Sequence, residues 1–357
     1  MSLSRLLAEL EIPIFQSPML GASDGALALA VSEAGGLGAL AAAGLAPDEI
    51  APAVAALRQA TDRPFSVNLL IVPRVAPEPA QVDAALARLA PWFAELGLER
   101  PGAPNRFAPD FDAQFEALLA AAPPVASFAF DVLSPERVRA LHAAGILVVG
   151  TATTVAEARA WAAAGADGIC AQGAEAGGHR GSFLAEGEDP VVGVMALVPA
   201  IRAAVDLPVI AAGGIMGGRG VAAALALGAG AVQMGTAFLL SDEATVSTPW
   251  RAAIEAAGDD PTRLTRAFTG RYARGLENRF MREMRAVEAD VPAYPVQNRL
   301  TQPMRAAALA AGDAQMMSLW AGQGVGLAQS GPAGEMVRRW WAEAKTSIQA
   351  LSDRLDA

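Results

Sequence analysis

The chain has one cysteine, Cys170, and one lysine, Lys345, among 357 residues. A lone cysteine cannot close an intrachain disulfide, so the core must hold the fold, and the composition suits a reducing compartment. Histidine is nearly as scarce, with only His142 and His179. No HExxH, CxxC or other His/Asp/Glu cluster provides a metal site. Positive charge is in deficit, with 27 Lys plus Arg against 37 Asp plus Glu and a net charge of −10. Nucleic-acid binding needs a basic face, so the balance argues against that partner. Uninterrupted apolar runs of membrane length are missing too. Residues 25–46 and 220–240 reach the roughly 20 residues of a span, but Ser32, Glu33 and Gly35-Gly36 break the first and Gly228-Ala229-Gly230 the second. The N-terminal MSLSRLLAELEIPIF is interrupted by Glu9 and Glu11 and lacks a signal-peptide core. The expectation is a soluble cytoplasmic protein with no membrane partner.

What the chain has is hydrophobic residues, at 53%, and glycine, at 35 residues. Short apolar runs alternate with helical stretches, and we read strands at residues 12–17, 37–41, 65–70, 125–130, 146–151, 168–172, 208–211 and 231–235. Repeated strand–helix units imply parallel strands with right-handed crossovers, an α/β class. Eight units in about 240 residues match a (β/α)8 TIM barrel. The doubly wound alternative lacks its glycine fingerprint, since Pro18-Met19-Leu20-Gly21-Ala22 follows the first strand. The reading places a barrel domain at residues 1–240, with an inserted segment at about 91–124, and a helical extension packing on it at 241–357. Helices are expected near residues 249–257, 301–311 and 334–355, the last facing solvent, with Trp320, Trp340 and Trp341 needing burial.

Barrels bind ligands at the C-terminal ends of their strands. The sixth strand runs into Gln172-Gly173-Ala174-Glu175-Ala176-Gly177-Gly178-His179-Arg180-Gly181, rich in glycines that let backbone approach a ligand. The seventh ends in Ala212-Gly213-Gly214-Ile215 and the eighth in Gln233-Met234-Gly235-Thr236. Loops after strands seven and eight are this fold's common phosphate site, where backbone amides and a helix N-terminus face the anion. Asn68 ends the third strand and can bond a flat polar ring, and Met19 after the first can back one. His142 precedes the glycine stop of a helix, where a cation is favourable. Cys170, inside a strand, reads as an inert buried thiol.

The motif around Gln172–His179, with Gln16-Ser17-Pro18-Met19, Val67-Asn68, Ala212-Gly213-Gly214-Ile215, Gln233-Met234-Gly235-Thr236 and Leu319-Trp320-Ala321-Gly322-Gln323-Gly324, resembles the nitronate monooxygenase family. Some of these motifs are shared with FMN-containing enoyl and quinone reductases. The resemblance implies bound FMN, a barrel with a helical cap, and oxidation of alkyl nitronates by O2 to a carbonyl compound and nitrite. By match of position it assigns the flavin to Met19, Asn68, Gln172, Gly177, Gly178, Gly213, Gly214, Gln233, Met234, Gly235 and Thr236, and catalysis to His179. The segments Tyr272-Ala273-Arg274-Gly275 and Tyr294-Pro295-Val296-Gln297-Asn298 would shape the substrate pocket. His179 could take the α-proton of a neutral nitroalkane or, protonated, hold a nitronate. Two alternatives stay open: an FMN-dependent NAD(P)H:quinone or enoyl reductase, and a barrel that binds a phosphorylated ligand without turnover.

Overall fold

The computed structural model describes residues 2–185 and 189–355. Six strands come first: β1 (Ile14–Gln16), β2 (Gly38–Ala41), β3 (Phe65–Leu70), β4 (Val125–Ala129), β5 (Leu147–Ala152) and β6 (Gly168–Gln172). The two-residue β7 (Gly178–His179) leaves the sheet, and β8 (Val209–Ala212) and β9 (Ala231–Met234) complete it. The eight sheet strands are all parallel, in the order β1-β9-β8-β6-β5-β4-β3-β2. A parallel bridge between Phe15 and Leu37 draws the two ends together into a barrel. Each strand overlaps the run expected for it.

Alternation along the strands sorts side chains between two cores. In β9, Ala231 faces the barrel interior and Gln233 lines a small internal cavity, while Val232 and Met234 pack outward under the helices. The N-terminal helix Leu3–Glu9 plugs the floor, inserting Leu3 and Leu6 among Phe15, Val149 and Ile210. Helix and sheet meet closely where a side chain is absent. A Cβ on Gly150 would fall 2.0 Å from the Trp161 ring, whose Nε1 donates to Thr151 O at 3.1 Å.

The connection after β3 holds two helices. Phe111–Ala121 belongs to the barrel, with Phe111, Phe115 and Leu118 in its core. Pro79–Glu95 instead sends Leu86, Leu89, Trp92 and Phe93 into a second core shared with residues beyond β9. The surplus segment therefore starts before Pro91, which lies inside that helix. A proline in a helical pattern reads as a break, and packing here overrides it.

Beyond β9, the chain builds a cap around Phe268, Phe280, Met284, Leu300 and Met304. Besides helices Thr248–Glu255, Arg279–Met284 and Val296–Ala311, the cap holds β10 (Thr262–Thr265) and β11 (Ala273–Leu276), an antiparallel pair absent from the helical expectation. The chain then returns to the barrel. Helix Ala333–Leu355 packs on Gly218–Ala226 and Gly25–Glu33, taking the eighth place in the outer ring. It is thus a barrel helix, not an outlying one: Trp340 is 2% exposed, with its ring 5.1 Å from Phe238. Its outer face, with Arg338, Arg339 and Lys345, is exposed, as is its far end, with Ile348, Leu351 and Leu355. Among the described residues no helix is long and apolar enough to cross a membrane.

The ring position of the last helix is testable. Trp340→Ala should lower unfolding stability by about 3–5 kcal/mol, the range for a fully buried aromatic, in a denaturant titration; a loss below about 1 kcal/mol would mean the helix is an appendage.

Candidate active site

The C-terminal strand ends bring most of the expected residues to one mouth. Asn68 lies inside β3, two residues before its end and not at the end as expected; it is 8% exposed and donates from Nδ2 to Ser127 O at 3.0 Å and Ser127 Oγ at 3.1 Å, which aims the amide. Gln172 is used differently. Its Nε2 donates to His179 O at 3.0 Å, and its Oε1 accepts from Gly181 N at 2.7 Å and Arg180 at 3.2 Å. Both ends of the amide thus shape the loop carrying His179. Met19 lies beside Gly235, its Sδ 3.5 Å from where a Cβ there would stand. Gln233 points into the barrel, but Met234 is 1% exposed with its side chain in the outer core, leaving only backbone toward the mouth.

The two glycine loops meet here as well. Gly213 and Gly214 have φ of +117° and +69°, the region glycine enters at least cost. Among the described residues, no protein group accepts from the backbone amides of Gly214, Gly235 or Thr236. The first amide of the helix N-terminus expected beside them is taken by the chain itself. Gly218 N, at the start of Gly218–Ala226, donates to Glu343 Oε2 of the last helix at 2.8 Å. The chain thus answers that helix dipole with its own carboxylate, and an anion at these loops has the loop amides as donors.

A strap from the cap closes over this region. Gly322 N donates to Thr236 Oγ1 at 2.9 Å and Gln323 N to Glu175 O at 2.9 Å. A Cβ on Gly177 would lie 2.5 Å from Gly322 N, so the strap and the β6 loop touch backbone to backbone.

His179 is held from the cap side. β7 pairs antiparallel with β11, setting His179 opposite Ala273 and Gly178 opposite Arg274. The imidazole sits in an aromatic box, its centroid 5.6 Å from Phe130, 5.6 Å from Tyr294 and 5.5 Å from Trp320. Its Nε2 lies 2.9 Å from Thr269 Oγ1. Phe130, just after β4, has φ of +85°, an uncommon conformation for a large side chain, and its ring carries the Arg271 guanidinium 4.0 Å above the centroid.

Two half-buried arginines dominate the electrostatics. Arg271 donates from Nε to Arg180 O at 2.9 Å and also to Ser182 O. Arg305 donates to Asn298 O at 2.9 Å, Asn298 Oδ1 at 2.8 Å and Thr301 Oγ1 at 3.2 Å. Among the described residues neither forms an ion pair. Burial pushes each down to about 10, so both stay charged. Burial first, then the charges of Arg271 and Arg305, push His179 down to about 3, leaving a neutral imidazole at pH 7. Burial raises the Tyr294 phenol, which stays protonated. His142 is elsewhere, bonded to Asp167 at 2.8 Å, and burial drives the Cys170 thiol up to about 12.

A sequence model of nitronate monooxygenases matches residues 2–343. The chain belongs to the nitronate monooxygenase family. It is 44% identical over 339 residues to a nitronate monooxygenase of Pseudomonas aeruginosa, covering 94% of this chain and 96% of that protein. A solved nitroalkane oxidase from Streptomyces ansochromogenes superposes with TM-score 0.90 at 45% identity, over 97% of this chain and 99% of its own. FabK of Thermotoga maritima superposes with TM-score 0.77 at 31% identity, over 99% of each chain. Membership in this nitronate monooxygenase family makes the chain an oxidoreductase and removes the non-catalytic barrel from consideration.

Sequence reasoning missed Phe130, Thr269, Arg271 and Arg305. Arg271 lies one residue outside a quoted segment, and no local pattern marks any of the four. Of the pocket segments expected, Tyr294 faces His179, whereas Arg274 reaches away to Ala174 O at 2.9 Å. The contact of strap and loop gives a test. Gly177→Ala should cost about 1–3 kcal/mol as a backbone overpacking, and hydrogen exchange should show the Gly322 amide losing protection; unchanged exchange would mean the strap is seated by other contacts.

Proposed function

We propose that this protein binds FMN at the barrel mouth and uses it to oxidise alkyl nitronates with O2, giving a carbonyl compound and nitrite. The observation that carries this reading is the pair of half-buried guanidiniums, Arg271 and Arg305, which form no ion pair among the described residues and act on the same neutral histidine. Half-buried positive charge that forms no ion pair among the described residues favours an anion. A nitronate is a compact anion of that kind.

The residues present fit FMN. Three amides without acceptors among the described residues, at Gly214, Gly235 and Thr236, suit a terminal phosphate, and a Cβ at Gly177 would obstruct the adjoining strap. Asn68, with its Oδ1 left over, and the apolar flank of Met19 suit a flat heteroaromatic ring. Bound there, FMN would supply the redox chemistry, taking electrons from the nitronate for delivery to O2.

The chain's own residues then bind, shield and move a proton. Phe130, Tyr294 and Trp320 wall the site with apolar surface and keep bulk water off it. Arg271 and Arg305 hold the nitro oxygens. His179, neutral, accepts the α-proton of a nitroalkane. As that proton leaves, charge developing on the nitro group beside the two arginines offsets their repulsion of an imidazolium. His179 is therefore a base here and not a standing cation.

The similarity to FabK favours one second reading, an FMN-dependent reductase that draws on NAD(P)H. One set of measurements separates the two. The purified protein should be yellow and release FMN on denaturation, consume O2 with a nitronate, and stay oxidised under anaerobic NADH. Rapid bleaching by NADH with none by a nitronate would favour the reductase.

His179→Asn should keep the flavin and lower turnover of a neutral nitroalkane by about 10²–10⁴-fold, the usual loss with a general base. Its preformed nitronate should be oxidised within about tenfold of the native rate, since no proton is then taken. Equal losses on both substrates would sink the base assignment.

A further inference from the structure

We infer that Thr269 is a positioning residue that fixes the tautomer of His179, placing the ring proton on Nε2 and leaving Nδ1 as the proton acceptor. The inference rests on the reading of His179 as a base, but its structural part comes from a count of hydrogens.

Thr269 Oγ1 lies 2.9 Å from His179 Nε2 and 3.1 Å from the carbonyl oxygen of Arg271. A hydroxyl has one proton to give. Among the described residues, that hydroxyl is the only donor to Arg271 O. Turning the hydroxyl toward the histidine would leave this half-buried carbonyl without a partner, which folded chains avoid. The hydroxyl therefore donates to Arg271 O and accepts at His179. For His179 Nε2 to pair with it, Nε2 must carry a proton. In a neutral imidazole the second nitrogen, Nδ1, is then bare. It has no protein partner among the described residues.

The hydroxyl cannot easily move. Thr269 is 1% exposed and closes a turn from its own N to Arg266 O at 3.1 Å. Residues 265–268 before it are tied down by Glu288, which accepts from the Thr265 hydroxyl and the amides of Arg266 and Ala267. Gln297 Nε2 donates to Ala267 O at 2.8 Å and Thr301 Oγ1 to Phe268 O at 2.6 Å. After it, Gly270 has φ of +80°, and a Cβ there would lie 2.1 Å from Pro292 O. The groups facing the imidazole from other elements are Arg271, Arg305 and the protonated Tyr294. None is a carboxylate that could pull the ring into its charged form.

The test reads the tautomer directly. Full-length flavin-loaded protein labelled with ¹⁵N in its histidines, of which there are two, should give at pH 7 one neutral Nε2–H pattern with a pyridine-like Nδ1, assigned by its loss in His179→Asn. Thr269→Ser should preserve that pattern and stay within about twofold of native nitroalkane turnover. Thr269→Val should move population to the Nδ1–H form and lower neutral-nitroalkane turnover about 10–100-fold, as loss of an orienting partner does, while sparing the preformed nitronate. A native spectrum showing Nδ1–H or imidazolium overturns the inference, whatever becomes of the variants. So does a native-like tautomer in Thr269→Val. The expected pattern in a protein that oxidises no nitro compound keeps the tautomer assignment and discards the proposed function.

Discussion

The mouth of this barrel depends on a pairing of four residues. Gly178–His179 leaves the β6 loop and joins Ala273–Arg274 of the cap, so the one histidine in the site belongs by covalent chain to the barrel and by hydrogen bonding to the cap. Neither unit alone defines where its ring points. Gln172 supports the pairing from below by accepting from Gly181 and donating to His179 O, and Arg271 supports it from the side through Arg180 O and Ser182 O. The glycines follow from the same requirement. At Gly178 (φ +72°) the backbone turns into the pairing, and at Gly177 it lets the strap pass.

Charge is arranged with the opposite logic to the rest of the molecule. The chain is acidic, with a net charge of −10, yet its site holds two guanidiniums answered by carbonyls and hydroxyls. Arg180, fully buried, instead pairs with Asp189 at 2.7 Å, while Arg271 and Arg305, on the cap, form no ion pair among the described residues.

The barrel was legible because each of its strands is a short apolar run, and four of them, β1, β6, β8 and β9, end at the mouth in glycine or an amide, a pattern local to five or six residues. The glycine loops and His179 were legible for the same reason. The inserted segment is read as starting at about residue 91, whereas the buried Leu86, Leu89 and Phe93 carry helix Pro79–Glu95 through Pro91. Strands β10 and β11 carry Arg263, Arg274 and Gly275, which are poor strand signals, and form only because each has a partner far along the chain. Arg271 and Arg305 were invisible because 26 arginines make any one of them unremarkable. What distinguishes them is that both act on His179, a property of space.

The position of the last helix has a consequence for how the molecule comes to exist. The chain leaves the barrel after β9, builds the cap, and only at Ala333–Leu355 supplies the segment that covers the seam between Gly218–Ala226 and Gly25–Glu33. During synthesis from the N-terminus, that seam stays open until residues 333–355 have left the ribosome, after the cap. Glu343, which answers the amide of Gly218, arrives in the same final stretch. The glycine loop after β8 and the apolar groove beside it are therefore finished together, so a nascent chain cannot present a completed mouth before its cap has been made.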